Sequence, residues 1–291
     1  MVFLEEDVDN PPGDREDRWW WAYQGSSATL PLTMVDSGHQ ISNGYVDFYN
    51  TYKVMVDKEL SRSATADLEA YYRRIGDHFR IYGRLANLSG VTLSDNNAAQ
   101  VEAIAYEETH VHLTDRYVRD AVGSALGSQL APGATMTFTL DTPDLSGVNW
   151  NNMRLLVAAD YLPAGYVGAF DMLQAAHAMP VTFTVQPDPL VFLVDPAHAL
   201  SQTLSIQLRG PHALSWTAVE NIPWLSLSAN TDSIAAAPTA TVDPGSLVPG
   251  WQEGQMTFSA MSGDGMAFSQ TVLAKAYSGP LNWIYLPILM R

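Results

Sequence analysis

The chain of 291 residues carries 31 acidic and 15 basic side chains, a formal net charge of -16, 47% apolar residues and no cysteine. That length exceeds one ordinary core and fits two or three domains. The charge repels phosphate backbones and anionic lipid heads, which sets nucleic acid aside as a partner, and the lack of cysteine removes disulfides, thiolate metal sites and thiol nucleophiles together. No segment approaches the roughly 20 apolar residues of a transmembrane helix. The acidic balance is compatible with calcium, with cationic partners, or with solubility outside a cell.

Met1-Val2-Phe3-Leu4-Glu5-Glu6-Asp7 has neither the basic start nor the long apolar run of a signal or transit peptide. It reads as a buried strand, so the first residue is expected to lie inside a domain, with an upstream half and any export signal encoded before it. Turn formers and prolines from Asp7 to Asp14 predict a loop. A helix then begins near Asp14 and carries Trp19, Trp20 and Trp21. Adjacent side chains on a helix diverge by about 100°, so these three cannot all face one core, and they are candidates for a binding groove or a domain interface. Leu30-Pro31-Leu32-Thr33-Met34-Val35 reads as a strand, Gly38 as a turn, His39-Gln40-Ile41-Ser42 as its hairpin partner. Phe48, Tyr52, Met55, Val56 and Leu60 recur at helical spacing.

This order, with a proline opening a strand and a glycine before the final helix, resembles the C-terminal half of a thioredoxin-like domain. The resemblance implies that Leu30-Pro31 is the family's cis peptide, with Pro31 facing where a redox motif would stand. A proline that begins a strand for steric reasons alone is the other reading. The strand and helix that carry Cys-x-x-Cys in that family have no counterpart in this chain.

From residue 78 the pattern changes. Phe79-Arg80-Ile81-Tyr82-Gly83-Arg84-Leu85, Val101-Glu102-Ala103-Ile104-Ala105-Tyr106 and Met136-Thr137-Phe138-Thr139-Leu140 alternate at period two. Turn clusters such as Asn87-Leu88-Ser89-Gly90, Ala131-Pro132-Gly133 and Leu162-Pro163-Ala164-Gly165 separate them. Short strands at this spacing predict a β-sandwich. Residues 154–161 followed by 170–176 are similar to the last hairpin of the Ig-like module that follows thioredoxin-like domains in some exported bacterial proteins.

Gln186-Pro187-Asp188-Pro189 reads as a stiff linker into a further all-β unit. There Leu214-Ser215-Trp216-Thr217-Ala218, Pro223-Trp224-Leu225, and Gly250-Trp251 before a predicted hairpin resemble the BACON family of Ig-like domains, with Ala229-Asn230-Thr231-Asp232 in place of that family's Ser-Gly turn. The resemblance implies core positions for Trp216 and Trp224. A carbohydrate-stacking role is associated with such domains, and Trp251 is the candidate for it. The tail, residues 279–291, is apolar, interrupted by Pro287 and too short to span a bilayer; it is expected to pack as an edge strand or against a partner.

Glu108, His110 and His112 are the candidate metal ligands, because two histidines at period two on a strand project from one face beside a carboxylate, an arrangement suited to zinc. Ordinary polar surface is the competing reading. The acidic loop from Glu6 to Asp14 fails the EF-hand pattern at Pro12 and Arg18 and leaves only an irregular calcium site. No Gly-x-Ser-x-Gly elbow, His-Glu-x-x-His helix or phosphate loop occurs.

The sequence thus predicts a mainly β chain: a partial thioredoxin-like α/β unit (residues 1–64), then two antiparallel Ig-like β-sandwiches (residues 70–186 and 187–278), then the apolar tail. Its first functional reading is a non-catalytic extracellular or cell-surface protein with an adhesion or spacer role, whose partner is carbohydrate or another surface protein. The alternatives are the C-terminal portion of a thiol-disulfide oxidoreductase with Cys-x-x-Cys upstream, and a carbohydrate-binding protein acting through the BACON-like domain. No feature specifies an oligomeric state.

Overall fold

The computed structural model describes residues 4, 32–43, 47–111, 114–165, 170–194, 198–210, 215–233, 237–261 and 267–280. The described part is mainly β and separates into two compact units, residues 1–181 and 182–291.

The first unit opens on a hairpin, β1 (Leu32–Val35) with β2 (Gln40–Asn43), antiparallel with Leu32 opposite Asn43 and Val35 opposite Gln40. Helix α1 (Phe48–Leu60) follows, started by Asp47, whose carboxylate accepts from the Asn50 backbone N–H and satisfies one of the free donors of the first turn. It buries Met55 and Val56, but Leu60, placed on the apolar stripe by its spacing, is exposed. Glu59 is buried in its stead, because His39 and Arg62 supply it with hydrogen bonds. The acidic loop, the tryptophan-rich helix and Pro31 lie outside the described residues, as does the apolar tail beyond Pro280.

The expected boundary after residue 64 is absent: the hairpin, α1 and the following strands share one compact unit. Thr65 N–H donates to Leu173 O at 3.1 Å just where the chain leaves the helix. Two four-stranded sheets then form. The first has the order β10 (Met179–Pro180), β3 (Ala66–Ile75), β4 (His78–Asn87), β7 (Thr135–Asp141), and the second β6 (Tyr117–Ala125), β5 (Gln100–Glu107), β8 (Met153–Tyr161), β9 (Asp171–His177). Leu68, Phe79, Ile81, Leu85 and Leu140 from one sheet and Val101, Ala103, Leu155, Val157 and Leu173 from the other fill a common core, which makes this a β-sandwich. All its pairs are antiparallel except β10 with β3, which is parallel.

β5 departs from the expected period-two burial, being buried along both faces. Val101, Ala103 and Ala105 point into the sandwich, whereas Ile104 and Tyr106 join Val118 and Ala121 in a second apolar cluster on the outer face. Leu4 and Leu156 pack against that cluster. The N-terminal segment at Leu4 therefore helps cover a face that a free-standing sandwich would leave wet.

The second unit starts earlier than the proline pair. β11 (Thr182–Gln186) pairs antiparallel with β14 (Ser205–Arg209), and the Gln270 side chain clamps Val185, accepting from its N–H at 2.7 Å and donating to its carbonyl at 3.0 Å. Gln186-Pro187-Asp188-Pro189, read as a linker, is thus a turn inside the unit between β11 and β12 (Leu190–Val194), with cis bonds before both prolines. The main sheet runs β12, β20 (Ala267–Ser278), β19 (Gly250–Met261), β15 (Ser215–Glu220), β17 (Thr231–Ser233). Opposite it stand the β11–β14 pair and a three-stranded sheet of β13 (Ser201–Thr203), β18 (Thr239–Val242) and β16 (Leu225–Leu227). β12 runs parallel to β20, so this sandwich too is not purely antiparallel. Its core holds Phe192, Trp216, Trp224, Met256, Phe258 and Val272.

Candidate functional site

In the second unit, Trp216 and Trp224 are core side chains, 0% and 4% exposed, while Trp251 is 59% exposed. The difference follows from the pleat. Trp216 and Ala218 alternate inward along β15, and Trp216 Nε1–H donates to Ser233 O at 2.9 Å, which satisfies the one polar atom of a buried indole. Trp251 follows Gly250, whose φ of 105° no L side chain adopts readily. That backbone step brings the chain into β19 with Trp251 on the outer face.

Residues that share a register share a face. Trp251 stands opposite Tyr277 on β20, and Tyr277 is opposite Leu193 on β12, so the three form a row across three strands. The indole and phenol ring centroids are 5.4 Å apart at 53°, an open V rather than a flat stack. Leu193 extends the row and is 46% exposed. In the next row, Val191, Lys275 and Glu253 align, and Lys275 Nζ donates to Glu253 Oε1 at 2.7 Å. The exposed Trp251, backed by the half-buried Tyr277, thus lies one repeat, about 7 Å, from a charged donor and acceptor. Tyr277, Lys275 and Glu253 escaped the sequence reading, although the Trp251–Tyr277 pairing follows once the hairpin register is known.

The candidate metal ligands are not brought together in the way their spacing suggested. β5 ends at Glu107, so Glu108 and His110 lie in the loop beyond it, where period-two alternation no longer aligns side chains. Glu108 is paired with Arg154 at 2.8 Å and His110 Nδ1 lies 2.9 Å from Asp115 Oδ1. His112 lies outside the described residues, and no group of three or more acidic or histidine ligands forms among those described. Glu107, which the sequence reading passed over, is the buried carboxylate of this stretch. It accepts from Arg119 Nε at 2.7 Å and from Asn149 N–H at 3.1 Å and ties β5 and β6 to the loop before β8.

A second polar cluster, also missed, joins the hairpin, α1 and β9: His39, Glu59, Arg62 and Asp171. The candidate residues Trp19, Trp20, Trp21 and Pro31 lie outside the described residues. Among the described residues no helix is long and apolar enough to cross a membrane.

No protein-family model matches the chain, and no curated protein matches it. Among solved structures it is similar to a protein of unknown function from Porphyromonas gingivalis, at 13% identity, covering 74% of this chain and 100% of that one with a TM-score of 0.25. It is also similar to a tandem of titin Ig domains, at 7% identity over 73% of this chain and 97% of that one with a TM-score of 0.21. A third likeness, to β-glucosidase 3B from Thermotoga neapolitana, has 11% identity, covers 40% of this chain and 17% of that one, and has a TM-score of 0.20. Likenesses this weak carry no argument about what the chain does.

Proposed function

We propose that the chain is a non-catalytic, extracellular or cell-surface protein whose β-sandwiches serve an adhesion role, and that it holds carbohydrate on the outer face of β19 and β20. The observation that carries this reading is the solvent-exposed Trp251, which packs against the half-buried Tyr277. Large aromatic rings are normally withdrawn from water, and the two core tryptophans of the same unit are. A pyranose ring presents apolar C–H groups from one face and hydroxyls around its rim. The indole face suits the first, and the Glu253–Lys275 pair supplies an acceptor and a donor for the second.

The BACON-like frame of Trp216, Trp224 and Gly250-Trp251 and the thioredoxin-like order before it support an exported multidomain architecture. The acidic surface and the absence of cysteine are compatible with it.

A glycan array probed with the full chain tests the proposal. Binding is expected to be lost in Trp251→Ala and weakened in Tyr277→Ala, with melting temperature nearly unchanged because Trp251 fills no cavity. Absence of binding to every glycan, or binding that survives Trp251→Ala, refutes it.

A further inference from the structure

The two sandwiches of this chain turn different chemistries outward. On the first, β3, β4 and β7 present cross-strand ion pairs, Arg84 with Asp67 at 2.9 Å and Arg80 with Asp141 at 2.7 Å. Such charges keep a solvated sheet face from associating. The outer face of β19, β20 and β15 in the second unit has no ladder of that kind. Beyond Glu253 and Lys275, the outward positions of these three strands are uncharged among the described residues. Gln255 comes next along β19, then Thr257 opposite Thr271, then Ser259 opposite Ser269 and Thr217. At the sheet edge the Asp188 carboxylate accepts from the Leu273 N–H at 3.1 Å. In a chain with a formal net charge of -16, so wide an uncharged face is not what solubility calls for.

Three properties of this face set what fits it. It is long in one direction only. From residue 251 to residue 259 the outward positions of β19 extend over about 27 Å, whereas the row through Trp251 ends two strands away at Leu193, about 10 Å off. On the other side of Trp251 no strand stands beside it, because β15 pairs with β19 only from Met256 onward. It is also rich in hydroxyls that water reaches, with Thr217, Ser269 and Thr271 exposed and Thr257 and Ser259 half-buried between them. The Thr257 and Thr271 hydroxyls are 3.5 Å apart, and Thr217 donates to Ser259 O at 3.5 Å. Contacts that long leave each hydroxyl most of its capacity of one donor and two acceptor positions. Finally, the face is neutral, since Lys275 and Glu253 offset each other at 2.7 Å, and the acidic remainder of the chain repels an anionic ligand.

We propose that the ligand of this face is a neutral, extended polysaccharide chain lying lengthwise along the β19–β20 hairpin, with one sugar stacked on Trp251 and the sugars that follow held by Gln255 and the threonine and serine hydroxyls. This rests on the carbohydrate reading of Trp251 and adds the charge, the shape and the direction of the ligand. A single terminal sugar reaches only the Trp251 row and the Glu253–Lys275 pair. The hydroxyl ladder beyond them comes into use only when the ligand continues along the strand.

Calorimetric titration of the full chain tests it, with neutral β-linked gluco-, manno- and xylo-oligosaccharides from disaccharide to hexasaccharide as probes and oligogalacturonides of the same lengths as the anionic comparison. Affinity for a neutral series is expected to rise about fivefold with each sugar that gains a hydrogen bond, and the oligogalacturonides to show no such rise. Thr257→Val combined with Thr271→Val removes two hydroxyls while keeping the β-branched shape that suits a strand, and is expected to flatten the rise, its melting curve confirming the fold. Ser259→Ala with Ser269→Ala serves if the valine variant associates. Trp251→Ala is expected to abolish binding at every length. Affinity independent of length, a rise that survives both double variants, or equal binding of oligogalacturonides overturns this inference, while loss in Trp251→Ala alone still upholds the carbohydrate reading. Binding to none of these probes overturns the inference, and binding indifferent to Trp251→Ala overturns both.

Discussion

At the scale of single residues, burial with or without a partner separates side chains that the sequence presents as equals. Asn87 was legible only as a turn former, yet it is fully buried and its amide donates to Val91 O at 2.8 Å and Leu130 O at 2.9 Å while its oxygen accepts from Ser89. Asn87→Ala removes both amide bonds and the Ser89 acceptor from a buried site, leaving Leu130 O only the Leu93 N–H and Val91 O only the Ser89 hydroxyl, and thermal denaturation is expected to show a loss of about 1–3 kcal/mol. Trp216→Ala opens a cavity at the centre of the second core and is expected to cost about 3–5 kcal/mol by denaturant titration, in contrast to the near-silent Trp251→Ala. Glu220 differs again: burial pushes its carboxyl above the usual range, and its Oε2 has no hydrogen-bond partner. The stability it lends is lost as pH rises through its folded value. Glu220→Gln should therefore raise the melting temperature at neutral pH and flatten its dependence on pH; a melting temperature that falls contradicts this.

At the scale of elements, strand ends decide which side chains meet. The β19–β20 hairpin was visible in outline, because Gly250-Trp251 announces its start and the inward positions Met256, Phe258 and Ala260 alternate with polar ones. Its partner Tyr277 was not, since register depends on where the connecting turn falls. Gly250→Ala is expected to destabilise the second unit by about 1–3 kcal/mol, because a side chain is forced to a positive φ, and to weaken glycan binding as Trp251 is re-aimed. Comparing its melting curve and array signal with those of Trp251→Ala separates the two effects. Strand ends act in the same way at Glu108 and His110: β5 stops at Glu107, and in the loop beyond it Glu108 meets Arg154 and His110 meets Asp115. β3 and β6 went unread because their buried positions are small or mixed, such as Ala66, Leu68 and Ala70 in β3 and Val118 and Ala121 in β6.

At the scale of the whole molecule, the chain divides between Val181 and Thr182. Prolines attract a linker assignment because they break regular structure, but the residues before these two are held by β14 and by Gln270. A fragment starting at Thr182 is therefore expected to unfold cooperatively in calorimetry, and one starting at Pro187 to melt lower or not fold, having lost β11. Equal melting temperatures for the two would place the boundary at the prolines after all.

By itself the sequence determined the mainly β character, the strands with clear alternation such as β4, β5, β7 and β8, the inward Trp216 and Trp224 and the singular position of Trp251, because these depend on alternation and turn chemistry that act over a few residues. Only the tertiary structure decided that β5 is buried on both faces, that Glu59 rather than Leu60 is withdrawn from water, and that Arg62 meets Asp171. Each of those outcomes depends on a partner far away in the chain, and local pattern carries no record of which distant surface will arrive to cover a side chain or neutralise its charge.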